Sequence, residues 1–239
     1  MSRSSRRAVI IGGGITGTLV ARALVQEGWS ACLVEAVHVG AGSSSRTAAG
    51  IRQQFSTRET VIGMQYSVDF YSRWQEEMEA TQAPIEQKGY LFICDSEESF
   101  QQAQQRVLRQ QSWGLHEVEA LEIATLRERF AFLNGETLFG GTWCPTDGFL
   151  RPEAIYNDAA EAFKIAGGTI HQNAPVLEAR HQNGRLTGIK TPKGWHEADL
   201  FIDCTNAWTR SLEPILLAQA LPVAALKRYL WFADRGEAW

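Results

Sequence analysis

The sequence predicts an α/β fold in which a parallel sheet, with helices and a β-hairpin layer, is interleaved with an α+β region. Two blocks carry this prediction. A strand, a glycine-rich turn, a helix and a second strand follow one another within residues 8–35, and a helix–strand–hairpin–strand block occupies residues 151–205. Because the stretch between these blocks mixes short strands and helices, we interpret it as an insertion into the first sheet.

The first block has the features of a dinucleotide-binding βαβ unit. Residues 8–11 form an apolar, β-branched run, and a helical pattern begins a few residues later. In the turn between them, Gly12 permits the tight bend, Gly14 allows a pyrophosphate to approach the backbone, and Gly17 lets the helix pack close to the sheet. The amide groups and the dipole of the first helical turn would then face phosphates.

An acidic residue completes this pattern at the end of the second strand. Glu35 follows the apolar run 31–34, near the expected separation of about 20 residues from the glycines, where its carboxylate can accept hydrogen bonds from a ribose. An acidic residue here disfavours a 2′-phosphate, which would require an arginine. The alternative is a glycine-rich turn in another kind of α/β protein, and the combination of strand, helix and Glu35 disfavours it.

Composition indicates an ordinary globular chain. Of 239 residues, 44% are hydrophobic and 21% charged, and the net charge of −4 gives no indication of nucleic-acid binding. Four cysteines without a CxxC pair predict free thiols in a reducing compartment, with neither a disulfide framework nor a metal site. The basic start lacks the apolar segment of a signal peptide and residues 214–226 are too short to span a membrane, so we predict a cytoplasmic protein.

Small residues dominate the segment after Glu35. Residues 36–50 are rich in glycine, serine and alanine, and the hydroxyl groups together with Arg46 could hold phosphate or ribose oxygens. A flexible linker is the alternative, although residues 51–55 that follow have no linker character.

The remaining pattern predicts the other elements, with Asn183-Gly184 as a strong hairpin signal. Helices are expected at about 57–79, 97–111, 152–166 and 205–208, and strands at 89–93, 137–143, 169–171, 176–181, 185–191, 195–199, 200–204 and 227–232.

Four segments together indicate a family. They are residues 9–17 with Glu35, residues 43–55, residues 147–176 with their Asp-Gly, Pro and Gly-Gly positions, and residues 198–208. In these segments the chain resembles the FAD-dependent oxidoreductases of the D-amino-acid oxidase type, and within them the sarcosine/dimethylglycine/proline dehydrogenase-like branch. The resemblance spans nearly the whole chain.

The resemblance implies a Rossmann-like FAD-binding domain interleaved with a partial substrate domain. The implied FAD-binding residues are Gly12, Gly14, Ile15, Thr16 and Gly17 at the pyrophosphate, Glu35 and Ala36 at the adenosine ribose, Ser44, Ser45 and Arg46 on the phosphate and ribose side, Ala49, Gly50 and Ile51 near the flavin ring, Val176 at the adenine, and Cys204 and Thr205 along the dinucleotide. The implied domain boundaries assign residues 1–85 and 147–213 to the FAD-binding domain, and residues 86–146 and 214–239 to the substrate domain.

The chain departs from the family pattern in two places. The family usually has a glycine where Asn206 stands, and the turn is expected to survive because asparagine tolerates a positive φ. Family members are also considerably longer, and the C-terminal segment that returns to the flavin has no counterpart here. We therefore expect the chain to be an incomplete family member that lacks its C-terminal part.

Three functions remain open at this point. The resemblance implies oxidation of the C–N bond of a small amine or amino acid, with hydride transfer to flavin N5. Arg52 could pair with a substrate carboxylate, although a structural or solvated role is slightly favoured, and no residue is predicted to be catalytic. The first alternative is a non-catalytic FAD-binding module that needs a partner subunit or a second copy of itself. The other is an NAD-dependent dehydrogenase, which the segment at 40–50 disfavours.

Overall fold

The computed structural model describes residues 6–133, 137–217 and 221–231. Its elements are, in chain order, β1 (Arg7–Ile11), α1 (Ile15–Gln26), β2 (Ser30–Val34), a 3₁₀ turn (Ser43–Ser45), β3 (Gly50–Ile51), α2 (Arg58–Ser72), α3 (Trp74–Met78), β4 (Ile85–Glu86), β5 (Tyr90–Cys94), α4 (Glu97–Ser112), β6 (Glu119–Glu122), α5 (Ile123–Arg129), β7 (Gly140–Cys144), β8 (Gly148–Leu150), α6 (Pro152–Ile165), β9 (Thr169–His171), β10 (Glu178–Gln182), β11 (Arg185–Thr191), β12 (Gly194–Glu197), β13 (Leu200–Asp203), a second 3₁₀ turn (Asn206–Trp208) and α7 (Thr209–Leu216).

The chain forms two compact units. The first unit comprises Met1–Ala48 and Pro152–Trp239, and the second unit comprises Ala49–Arg151. The sequence analysis placed its boundaries elsewhere, at 85/86, 146/147 and 213/214. Its assignment of FAD-binding and substrate roles to those segments stays a prediction.

A four-stranded parallel sheet is the centre of the first unit. Its strand order is β13-β1-β2-β9, so β1 lies between β2 and β13, the last of the described strands. Side chains alternate between the two faces. On one face Ile10 and Leu33 pack with Phe163 of α6, and on the other Val34 packs with Ile189 of β11. The prediction of a parallel sheet with helices and a hairpin layer is therefore confirmed.

The hairpin layer is the antiparallel sheet β10-β11-β12. Asn183 and Gly184 connect β10 to β11, with φ of 51° and 73° respectively. Positive φ at both central residues defines the type I′ turn that suits the twist of a hairpin, so the predicted hairpin is confirmed.

The second unit contains two antiparallel three-stranded sheets, β3-β8-β4 and β5-β7-β6. Val61 of α2 and Val107 of α4 pack with Cys144 of β7 in one of its cores. β3 and β8 are the first and last strands of the unit and pair with each other, and the Leu150 amide donates a hydrogen bond to the Ala49 carbonyl over 2.8 Å. The two ends of the second unit are therefore neighbours.

Two predicted elements differ from the structure, one by a break and one by its absence. The helix expected at 57–79 is divided at Arg73, whose φ of −92° and ψ of 15° end α2 and begin α3. After this bend Trp74 is fully buried and packs edge-on against Phe70, with ring centroids 5.6 Å apart. Burial of the indole thus accounts for a break that helical periodicity cannot show.

The strand expected at 227–232 is also absent over residues 227–231, and residue 232 lies outside the described residues. The side chains of this segment are exposed, and Trp231 reaches 90%. A strand requires a neighbouring strand for its backbone hydrogen bonds, and none of the described strands pairs with this segment.

Among the residues that the structure describes, none of the helices combines the length and the apolar character that crossing a bilayer requires.

Candidate functional site

The glycine turn after β1 is built by close backbone contacts. Gly12 has a φ of +107°, and its amide donates a hydrogen bond to the Val34 carbonyl over 2.9 Å. A Cβ atom at Gly12 would lie 2.8 Å from the carbonyl oxygen of Cys204, which follows β13. Only glycine combines this φ with this close approach. The turn is therefore held between the ends of β2 and β13, the two strands that flank β1.

The helix that follows approaches this turn very closely. A Cβ atom at Gly17 would lie 1.8 Å from the Gly12 carbonyl oxygen, which confirms the predicted packing role of Gly17. Gly14 is the N-cap of α1 and has no side-chain cap, and the first turn contains no acidic residue. The Ile15 amide donates to Ser44 Oγ over 3.0 Å, so the serine segment lies against the start of the helix.

Two backbone amides hold the carboxylate of Glu35 beside the turn. Gly13 N–H donates to Oε2 over 2.6 Å, and Val37 N–H donates to Oε1 over 2.9 Å. The backbone of Glu35 is also anchored, since its amide donates to the carbonyl oxygen of His171 over 2.9 Å. Each carboxylate oxygen retains a further lone pair that can accept a hydrogen bond.

These groups surround a cavity of about 350 Å³ within the first unit. Its lining includes eleven of the predicted FAD-binding residues: Gly12, Gly14, Ile15, Thr16, Glu35, Ala36, Ser44, Arg46, Val176, Cys204 and Thr205. Gly17 is not part of the lining because it faces the Gly12 carbonyl. Ser45 is not part of it either, and its exposed hydroxyl is 3.4 Å from the Gly42 carbonyl.

The segment after β13 forms one wall of this cavity. Burial and then the charge of Asp203 raise the pKa of the Cys204 thiol to about 11, so the thiol is neutral near pH 7. The hydroxyl and the amide of Thr205 both donate to Asp203 Oδ1, over 2.6 and 2.8 Å. Asn206 adopts a φ of +50°, so the turn survives the replacement of the family's usual glycine, as expected.

Sequence reasoning missed several residues around this cavity, among them Gly13, Gly42 and Trp208. Gly13 contributes the amide that holds Glu35, and it stood unassigned within the glycine triplet. Trp208 lines the cavity and covers Gly42, where an added Cβ would lie 3.2 Å from the indole ring. The sequence signal that could have identified Trp208 is its position two residues after Asn206, which forms the turn.

The other predicted residues lie in the second unit. Gly50, Ile51 and Arg52 line a separate cavity of about 530 Å³, and Ala49, with a φ of +56°, precedes them. The cavity lining is completed by Phe55, Met64, Ser67, Tyr71, Tyr90 and Leu150. The guanidinium carbon of Arg52 lies 5.1 Å from the ring centroid of Phe55 and 5.4 Å from that of Phe92. These aromatic rings hold the charged group by cation–π attraction.

A buried polar network fixes the backbone beside Arg52. Asp147 is fully buried, and its Oδ1 accepts hydrogen bonds from the Gln53 amide over 2.7 Å and from Gln53 Nε2 over 3.2 Å. Gln54 Nε2 donates to Asp147 Oδ2 over 3.1 Å. Burial raises the pKa of Asp147 above its ordinary value, although the hydrogen bonds from the two glutamines oppose this change. The sequence predicted no such network.

Sequence comparison assigns the family. The family model described as "DAO: FAD dependent oxidoreductase" matches residues 7–238. The chain belongs to this family. The family is FAD-dependent, so membership assigns FAD as the cofactor. The fold is the Rossmann-type α/β fold that the sequence predicted.

Individual relatives include both enzymes and a regulatory protein. The mouse pyruvate dehydrogenase phosphatase regulatory subunit is 30% identical over 216 residues, covering 86% of this chain and 23% of the relative. Glycine oxidase of Bacillus subtilis is 29% identical over 209 residues, covering 84% of this chain and 54% of the enzyme. The crystal structure of L-proline dehydrogenase from P. horikoshii superimposes with a TM-score of 0.81 at 27% identity, covering 88% of this chain and 55% of that one.

The chain thus spans about a quarter to about half of the length of these relatives. It matches proteins named as oxidoreductases of amino acids as well as one named as a regulatory subunit. A cytoplasmic location stays a prediction.

Proposed function

We propose that this chain binds the ADP half of FAD in the cavity of the first unit, within a protein that oxidises the C–N bond of a small amine or amino acid. The observation that supports this most directly is the arrangement around one cavity: the N-terminus of α1, Arg46, and the carboxylate of Glu35. These groups match a pyrophosphate beside a ribose. The family match supports FAD over NAD as the dinucleotide.

The start of α1 suits the phosphates. Gly14 has no side chain and the first turn of α1 carries no acidic residue, so the positive end of the helix dipole faces this part of the cavity. Arg46 brings a positive charge to the same cavity. An added side chain at Gly14 would meet Ser44 Oγ at 2.8 Å and reduce the space in front of the helix.

Other groups in the cavity lining suit the adenosine. The two backbone amides that hold Glu35 leave one lone pair on each carboxylate oxygen for the two ribose hydroxyls. Val176 and the neutral thiol of Cys204 provide an apolar wall.

The substrate is proposed to meet Arg52 in the second unit. Its guanidinium, held against aromatic rings, can form a bidentate pair with a carboxylate of an amino acid. Ala49, Gly50 and Ile51 would pass beside the flavin ring. When bound, the flavin supplies a hydride acceptor at N5, and the imine that the oxidised substrate forms is hydrolysed by water.

The cofactor assignment is tested by titrating flavin-free protein with FAD and, separately, with NAD while following thermal unfolding and visible absorbance. A ligand at a hundredfold excess over its Kd stabilises a protein by about 2.7 kcal/mol. We expect this stabilisation, together with a shifted flavin spectrum, with FAD alone. Stabilisation by NAD alone, or by neither, contradicts the proposal.

A second candidate is a non-catalytic FAD-binding module that works with a partner subunit. The 30% identity to a protein named as a regulatory subunit favours it. Turnover with a panel of N-methyl and cyclic amino acids separates the two candidates. A protein that binds FAD and oxidises none of the panel supports the module, whereas turnover by a monodisperse monomer excludes it.

A further inference from the structure

Three metal-binding side chains meet in the first unit, on the opposite side of β2 from α1 and α6. The sulfur of Cys32 and the ring nitrogens of His171 and His196 all lie within 4.8 Å of one another. Cys32 Sγ is 3.9 Å from His196 Nδ1, and the two imidazole centroids are 5.1 Å apart. The sequence analysis predicted no metal site because the cysteines form no CxxC pair, and residues 32, 171 and 196 are far apart in the chain.

The topology explains why they converge. Cys32 and Val34 project from the same face of β2, the face covered by the hairpin layer. His171 lies directly beside Val34 in the parallel register of β2 and β9, so it stands diagonally next to Cys32. His196 comes from β12 of the hairpin layer and faces both of them. Each of the three side chains is half-buried, so an ion could reach them from solvent.

The orientation of His196 is set by a neighbour outside the cluster. Its Nε2 is 2.9 Å from Thr191 Oγ1, which also accepts a hydrogen bond from the Lys193 amide over 3.1 Å. This contact leaves Nδ1 directed at Cys32. A hydrogen bond from the second ring nitrogen is the usual way in which proteins orient a metal-bound histidine.

We propose that Cys32, His171 and His196 form a three-ligand Zn²⁺ site whose fourth position is open to water. One thiolate with two imidazoles is a donor set that suits Zn²⁺ and does not suit Mg²⁺ or Ca²⁺, which prefer oxygen. With the usual bond lengths, sulfur and nitrogen bound to one tetrahedral zinc lie about 3.6 Å apart. The observed 3.9 Å between Cys32 and His196 therefore requires only a small closure.

A weak thiol–imidazole hydrogen bond is the competing account of the contact between Cys32 and His196. It involves only two of the three side chains, whereas a metal ion would use all three. A bound zinc would tie β2, β9 and β12 together. The proposal does not depend on the cofactor of the neighbouring cavity.

The test uses the full chain without an affinity tag, freed of metal by a chelator and titrated with Co²⁺. Tetrahedral Co²⁺ with a thiolate ligand gives visible d–d bands at longer wavelength than flavin absorbs, so the result does not depend on bound flavin. We expect the bands to saturate at one Co²⁺ per chain and to vanish when Zn²⁺ is added.

Matched variants show which residues bind the ion. Cys32→Ser and His196→Gln should abolish the bands. The glutamine amide can keep the contact to Thr191 while Nδ1 is removed. Cys94→Ser and His116→Gln remove one thiol and one imidazole from the second unit and should leave the bands unchanged. Thr191→Val, which removes only the orienting contact, should weaken Co²⁺ binding roughly 10–100-fold.

Circular dichroism of each metal-free variant establishes that it is folded. If a folded wild-type chain gives no saturable bands, or if folded Cys32→Ser and His196→Gln bind Co²⁺ as well as the wild type, the site does not exist. If Cys32→Ser fails to fold, His196→Gln decides the question by the same criterion.

Discussion

Replacing Gly17 by alanine is the sharpest test of how α1 is held against the glycine turn. The added Cβ would lie 1.8 Å from the carbonyl oxygen of Gly12. Real Cβ atoms essentially never come closer than 3.0 Å to another heavy atom, so helix and turn must separate by about 1.2 Å or more. The position of the Cβ atom is fixed by the backbone of residue 17, and the Gly12 oxygen is itself a backbone atom. No side-chain rotation can therefore relieve the clash.

The cost follows from the packing around the helix. α1 lies against the central sheet and packs beside Phe163 of α6, which is fully buried. Overpacking of this kind costs about 1–3 kcal/mol, and sometimes more. The better helix propensity of alanine returns up to about 1 kcal/mol. Because the clash is with a backbone atom, the upper end of this cost applies, and after the gain in helix propensity we expect Gly17→Ala to lower the free energy of unfolding by about 2 kcal/mol.

Gly63 provides the matched control, because it lies within α2 and an added Cβ there meets nothing within 4 Å. Gly63→Ala should raise the free energy of unfolding by about 0.5–1 kcal/mol. Urea denaturation followed by tryptophan fluorescence measures both variants, since the chain has eight tryptophans. A Gly17→Ala variant as stable as the wild type would refute the close approach that the structure describes.

Three further predictions concern the cavities and the buried network. Glu35→Gln should weaken FAD binding about 10–100-fold by isothermal titration, because charge-assisted hydrogen bonds of about 1.5–3 kcal/mol are lost, whereas the exposed Glu27→Gln should bind normally. Arg52→Lys should raise KM about 10-fold or more for substrates that carry a carboxylate and leave amines without one unaffected, and an equal effect on both would argue against the proposed pairing. Burial raises the pKa of Asp147 above 3.8 in the folded state. As the pH rises, the Asp147 carboxyl group therefore loses its proton at a lower pH in the unfolded chain than in the folded chain. The stability of the wild type relative to Asp147→Asn should therefore fall from about pH 4 upwards in urea titrations, and a constant difference would contradict this.

Local patterns predicted the first unit well because each pattern there has one physical solution. The alternation of buried side chains in β1 and β2, a glycine at each close contact, and Asn183-Gly184 in the hairpin are all requirements of a few adjacent residues. The acidic residue at the end of β2 was likewise predicted from spacing. Its two amide donors, Gly13 and Val37, came from the structure.

The failures share a different cause, since they depend on contacts between distant segments. The bend at Arg73 reflects the burial of Trp74, and the missing strand at 227–231 reflects the lack of a strand beside it among the described residues. Asp147 meets two glutamines some ninety residues earlier in the chain. The cluster of Cys32 and two histidines is likewise created by strand register, which a single sequence does not display.

The pairing of β3 with β8 has a consequence for how the chain could be shortened. Because the Ala49 carbonyl and the Leu150 amide are hydrogen-bonded, the roughly 100 residues between them leave and re-enter at almost the same place. A short connection could therefore replace this segment without separating the residues on either side of it. A minigene that joins Ala48 to Pro152 through a few glycines would therefore be a natural starting point for isolating the parallel-sheet module.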